Sequence, residues 1–167
     1  DYMKTITRTI ALLILLLVGM TAPVHAQSSW SPSYNAGQHV YVAPGLANSL
    51  TAQFQTPDFN SQLAQAAAAQ NLDVYVVITA TGSDVSSSNP AGPVLVRNLW
   101  DNWTRQSSFN KDRALVILLT GDGTSFKSVG VRAGDYLNRL GIARNTMSDA
   151  NGPVVPVIKA HLPGDPA

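Results

Sequence analysis

Two short stretches of the chain are apolar on both of their alternating faces. They are Leu72-Asp73-Val74-Tyr75-Val76-Val77-Ile78-Thr79 and Ala114-Leu115-Val116-Ile117-Leu118-Leu119. Runs of this length, rich in β-branched residues, suit strands of a sheet covered on both sides. Around them the apolar spacing changes from two to about 3.6. Phe59, Leu63, Ala66 and Ala67 follow Thr56-Pro57-Asp58, which predicts a helix opening there, with Pro or Asp in its first turn. The Ala run behind them has high helix propensity. Leu95, Leu99 and Trp103 form one stripe with Val96 and Trp100 beside it, which predicts a second helix from about Val94 to Gln106.

Weaker signals complete the pattern. His39-Val40-Tyr41-Val42 is a short apolar run stopped by Pro44-Gly45 and reads as an edge strand. Thr81 to Pro93 is a polar loop. Gly121-Asp122-Gly123 is a turn signal, so Phe126 to Val131 is predicted to return antiparallel as a hairpin. A short helix from Asp135 to Leu140 is expected to end at Gly141, and Asn145 or Ser148 opens a last helical stretch limited by Pro153 and Pro156. No internal repeat is visible. Alternating helices and strands predict an α/β fold, a three-layer α/β/α sandwich around a small mixed sheet.

Ahead of this domain the pattern is different. Met3-Lys4-Thr5-Ile6-Thr7-Arg8 is basic, Ile10 to Met20 is almost wholly apolar, and Val24-His25-Ala26 has the small-residue pattern of a cleavage site. That order reads as a secretory signal. The uncharged stretch from Thr9 to Val24 has 16 residues, at the short end of the roughly 17 to 25 that span a bilayer. Residues 1–26 are therefore either a signal peptide or a retained signal-anchor helix, and retention is the reading adopted. Lys4 and Arg8 place the remainder of the chain on the outer, periplasmic side of a bacterial membrane. Residues 27–37, rich in Ser, Pro, Asn and Gly, read as a linker. The α/β domain is assigned to residues 38–167.

Composition narrows the chemistry. The chain has 167 residues, 11 bases and 10 acids, and no Cys. Without residues 1–26 the bases and acids are nine each, so nothing favours nucleic acid or a polybasic membrane surface. The absence of Cys excludes a disulfide scaffold, a thiol nucleophile and a thiolate metal site. All ten acids are Asp, a residue of caps and turns where Glu would favour helix interiors. The three His, at 25, 39 and 161, form no Ser-His-Asp pattern, there is no G-x-S-x-G elbow, and no phosphate-binding Gly motif is present.

In an open α/β sheet, ligands bind beyond the carboxyl ends of the strands. Asp84 and Asp122 follow the two central strands and are the candidate ligands for calcium or magnesium, since carboxylate, hydroxyl and carbonyl oxygens suit these ions. The alternative for both is a solvated turn residue. Trp100-Asp101-Asn102-Trp103 clusters aromatic and acidic groups on one helix. Trp103 is assigned to the core, and Trp100 and Asp101 are candidates for a partner surface. Arg113 and Arg132 are candidate phosphate ligands or partners of a nearby Asp.

The order of pieces resembles the TPM domain family. The features that carry it are the apolar strand Val74 to Ile78, a long polar loop, and a helix ending in Trp103. Asn110 to Arg113 then lead into Ala114 to Leu119, a hairpin and Val131-Arg132-Ala133-Gly134, and the chain closes with Val157-Ile158-Lys159 and Gly164-Asp165. The resemblance covers about residues 38 to 167. Members usually carry Gly before the second apolar strand, where this chain has Arg113-Ala114. They usually carry Gly-aromatic-Gly after the hairpin, where it has Ala133-Gly134-Asp135. Asp149 is the candidate for the acid that members carry before the final helix.

The resemblance implies an exported α/β/α domain tethered by a hydrophobic segment. Some relatives resemble weak metal-dependent acid phosphatases with Ca²⁺ near strand-end acids. Others serve membrane complexes, including photosynthetic ones, as repair or support proteins. The expected role is a membrane-anchored accessory, assembly or stabilising subunit of an integral membrane protein complex, acting through protein–protein contacts, with a photosynthetic complex as one candidate. The alternative is a Ca/Mg-dependent acid phosphatase. The two departures and the lack of Glu weigh against catalysis. Binding of a small periplasmic ligand has no dedicated motif and ranks below both.

Overall fold

A computed structural model describes residues 30–46, 51–80, 91–122, 125–140, 151 and 155–156. The start of the expected last helical stretch, the Gly141 cap and the segment before Trp30 lie outside these, while Val155 and Pro156 are helical. Within them the chain is an α/β fold: β1 (Val40–Val42), a 3₁₀ turn (Ala52–Phe54), α1 (Pro57–Ala69), β2 (Asp73–Ala80), α2 (Ala91–Trp103), β3 (Ala114–Gly121), β4 (Phe126–Ala133) and α3 (Asp135–Arg139). The four strands make one mixed sheet in chain order. β1, β2 and β3 are parallel, and β4 returns antiparallel to β3.

Local chemistry explains the element ends. Thr56 is the N-cap of α1, and its hydroxyl accepts from the Phe59 N–H at 3.2 Å, which satisfies one of the donors left open at a helix start. α1 closes on Asn71, whose φ of 59° is left-handed, a conformation that Asn tolerates better than most residues. The Leu72 N–H then returns to the Ala67 carbonyl at 3.0 Å, and the Asn71 carbonyl accepts from Arg113 Nε at 2.9 Å. The hairpin forms as its turn signal predicts, with Ser125 N–H donating to Asp122 Oδ1 at 2.9 Å.

Alternation along the strands divides the core between the two faces of the sheet. Val76, Ile78, Leu119, Phe126, Val129 and Val131 belong to one cluster, against which Leu63 of α1 and Phe54 pack. Tyr75, Val77, Val116 and Leu118 belong to the other, with Val96, Leu99, Trp100 and Trp103 of α2. The two long helices thus lie on opposite faces. Because β1, β2 and β3 are parallel neighbours in chain order, two crossovers of the same hand would put both helices on one face. One of the two crossovers is therefore left-handed, against the usual preference.

α2 begins at Ala91, earlier than its apolar stripe suggests, because Gly92-Pro93 fits its first turn. Its start presses on β4: a Cβ on Gly130 would stand 2.1 Å from the Gly92 carbonyl oxygen. Only glycines permit that approach. The Gly92 N–H donates to Ser128 Oγ at 2.9 Å and ties the helix start to the strand.

Candidate functional site

The aromatic face of the sheet carries the most elaborate side-chain arrangement. Trp103 is fully buried, and the rings of Tyr34, Tyr41, Tyr75 and Phe109 lie 5.1–5.6 Å from it, tilted or edge-on. Such geometry adds to simple burial because ring edges meet ring faces. The polar tips of these residues reach the segment before β1. Trp103 Nε1 donates to the Pro32 carbonyl at 2.7 Å, the Tyr34 and Tyr75 hydroxyls are 3.2 Å apart, and the Asn35 N–H donates to the Tyr41 hydroxyl at 3.0 Å. Residues 30–38 contain no helix or strand. They are nonetheless fastened across this face by aromatic side chains and hydrogen bonds.

Burial acts on the phenols. It pushes the Tyr75 hydroxyl well above the ordinary tyrosine range, and the Tyr34 hydroxyl beside it adds to the effect. Tyr41 is raised by burial too, partly offset by the backbone of Asn35. Neither is poised as an acid or base near neutral pH. His39 has a structural post. Its ring stacks on Tyr75 with centroids 5.2 Å apart, and Nδ1 donates to the Val74 carbonyl at 2.8 Å.

A cavity of about 240 Å³ opens between residues 30–32, α2 and the sheet. Its floor is Val77, Leu118 and the buried Thr79, and its helix wall is Leu95, Asn98, Leu99 and Asn102. Trp30, Ser31 and Pro32 close the remaining side. Asn102 Nδ2 donates to Ser31 Oγ at 3.3 Å and joins two of these walls. Little in the amino-acid pattern signals this site. Asn98 and Asn102 stand four apart beside the Leu95 and Leu99 stripe, but the opposing wall comes from a segment of linker-like composition.

At the carboxyl ends of the parallel strands, Thr79, Thr120 and Ser128 form a buried row of hydroxyls across β2, β3 and β4. The Thr120 hydroxyl has no hydrogen-bond partner among the described residues. Asp122 follows β3 there, as expected. One carboxylate oxygen accepts from Ser125 N–H, and the other lies 3.1 Å from Lys127 Nζ, so the side chain closes the hairpin turn. Asp84 lies outside the described residues. Among the described residues no three His, Cys, Asp or Glu side chains come together as metal ligands.

Trp100 is 8% exposed, edge-on to Phe109 at 5.5 Å and under the Arg132 guanidinium at 5.8 Å, while Asp101 beside it is exposed. Arg113 lies over Tyr136 at 6.0 Å, at the opposite end of the sheet from Asp122. Nearby, Asp112 and Arg139 form a two-pronged ion pair with contacts of 2.8 and 2.6 Å.

Fold and site together define a small α/β domain with a strapped aromatic face. Compared with family models, with curated proteins and with solved structures, the chain matches nothing.

Proposed function

We propose that the chain is an exported accessory or stabilising subunit, held at the periplasmic side of a bacterial membrane by residues 1–26 and acting on an integral membrane protein complex. In this reading it is a TPM-like three-layer α/β/α sandwich preceded by a hydrophobic helix. The observation that carries it is the fastening of residues 30–38. Only residues 25–29 separate the end of the uncharged stretch at Val24 from Trp30, and the six steps between them reach at most about 22 Å. A retained anchor would therefore hold the strapped face, with the exposed Asp101 on it, close to the bilayer and to neighbouring chains.

The test is recovery from membranes. After detergent solubilisation, a pull-down through the full chain is expected to bring a multisubunit complex. The chain has no native Cys, so Asp101→Cys gives a single cross-linking site, expected to trap a membrane-complex subunit. A lone monomer in the pull-down and no adduct at Asp101→Cys would remove the proposal. The second reading, a Ca/Mg-dependent acid phosphatase, is favoured only by the position of Asp122 at the ligand-binding end of the sheet. It fails if Asp122→Ala leaves phosphate-ester hydrolysis and Ca²⁺ binding unchanged.

A further inference from the structure

We propose that the cavity beneath residues 30–32 is a binding site for a small neutral amphiphile: one ring or branched apolar body bearing a single hydroxyl or amide. The proposal is independent of the accessory role, because it rests only on the cavity. Its size sets the first limit. An engineered cavity of about 150 Å³ lined by apolar side chains takes benzene, so about 240 Å³ holds one substituted ring. It is small beside the roughly 300–1,000 Å³ of sites for drug-sized ligands.

The lining sets the second limit. Of its ten lining residues among the described ones, none is Asp, Lys, Arg or His. Arg97 and Asp101 are on the same helix but take no part in the wall. A charged group on the buried floor would lose its hydration with no opposite charge among the described residues to meet it, which disfavours a charged ligand there. Val77, Leu95, Leu99, Leu118, Trp30 and Pro32 offer an apolar body its contacts.

The third limit is polar and directional. Thr79 lines the floor, Asn98 and Asn102 line the wall from one turn of α2, and Ser31, which accepts from the Asn102 amide, lines the strap side. A simple packing void is dry and apolar. Polar groups converging from three separate elements on an apolar bed are the pattern of a ligand site. Asn98 and Asn102 are exposed, whereas Val77, Thr79, Leu99 and Leu118 are buried. The ligand's apolar body therefore points inward, and its hydrogen-bonding group meets either the floor hydroxyl or the amides at the rim.

The probe is phenol, titrated into the full chain in lipid nanodiscs while backbone amide shifts are followed. Saturable shifts concentrated at Val77, Thr79, Leu99 and Leu118 are expected. Asn98→Trp, a change at an exposed position that fills the mouth, is expected to weaken binding more than tenfold. Thr79→Val keeps the shape and removes a hydroxyl. It should weaken phenol about fivefold, or leave phenol to the amides, in which case Asn102→Leu carries that loss. Benzene binding should survive both polar-to-apolar changes. Unsaturable shifts spread over the surface, or equal phenol binding by the wild type and Asn98→Trp, would overturn the proposal and leave the cavity a packing defect.

Discussion

The two faces of the sheet bury similar strands by different means. On the α1 face the core is mostly aliphatic, with Val76, Ile78, Leu119, Val129 and Val131 around the fully buried Phe126. Its contacts are non-directional and depend on area and fit. On the α2 face Tyr75, Tyr41, Trp103 and Phe109 lock ring against ring, and three of these four have a polar tip. Those tips do what methyl groups cannot. They hold a segment with no helix or strand through bonds to its backbone and to Tyr34. An aromatic face can therefore fasten irregular chain, where an aliphatic one chiefly fills space.

The largest effects should separate the faces. Trp103→Ala and Phe126→Ala each empty a fully buried site, and each should cost about 3–5 kcal/mol in urea unfolding. The difference lies in what else is lost. Trp103→Ala removes the donor to Pro32 and should make residues 30–38 open to protease in the folded state. Phe126→Ala should leave that segment protected. Equal protection in the two variants would show that the strap is held by something other than the aromatic face.

A second break is steric. Gly130→Ala should cost about 3 kcal/mol or more by thermal unfolding, at the high end of overpacking, because its new methyl would meet the backbone of Gly92 and not a movable side chain. The strain falls on the α2 face alone. Gly92→Ala, whose Cβ would meet the Val129 backbone at 2.6 Å, should add little on top of Gly130→Ala, since residues in one contact are not additive.

These glycines show where the sequence was legible and where it was not. β2, β3 and the hairpin follow directly from apolar runs and Gly121-Asp122, because strand burial and turn chemistry are local signals. The start of α1 was equally readable in Thr56-Pro57-Asp58. Gly92-Pro93, by contrast, reads as loop, since its reason for being there is a strand far away in sequence. Residues 30–37 read as linker for a related reason: Trp30 and Tyr34 sit among Ser, Pro and Asn with no period to betray which surface they cover. The cavity inherits that blindness, because one of its walls is this segment.

The smallest expected effect probes the polar tips themselves. Tyr75→Phe removes one hydroxyl from the Tyr34–Tyr75 pair and should cost about 1 kcal/mol at neutral pH. The more telling measurement is alkaline. An unfolded tyrosine ionises near pH 10, whereas burial holds Tyr75 protonated to higher pH in the fold. Above about pH 10 the unfolded chain therefore binds fewer protons than the folded one, and stability falls as pH rises. Below that point the two states are protonated alike and the phenol adds no pH dependence. Tyr75→Phe should flatten this alkaline loss without abolishing it, because Tyr41 is raised in the same sense. Denaturant midpoints for wild type and variant between about pH 8 and pH 11 decide the matter. Parallel curves would mean that the Tyr75 hydroxyl is solvated in the folded state, and the aromatic face would lose its claim to be a directional clamp.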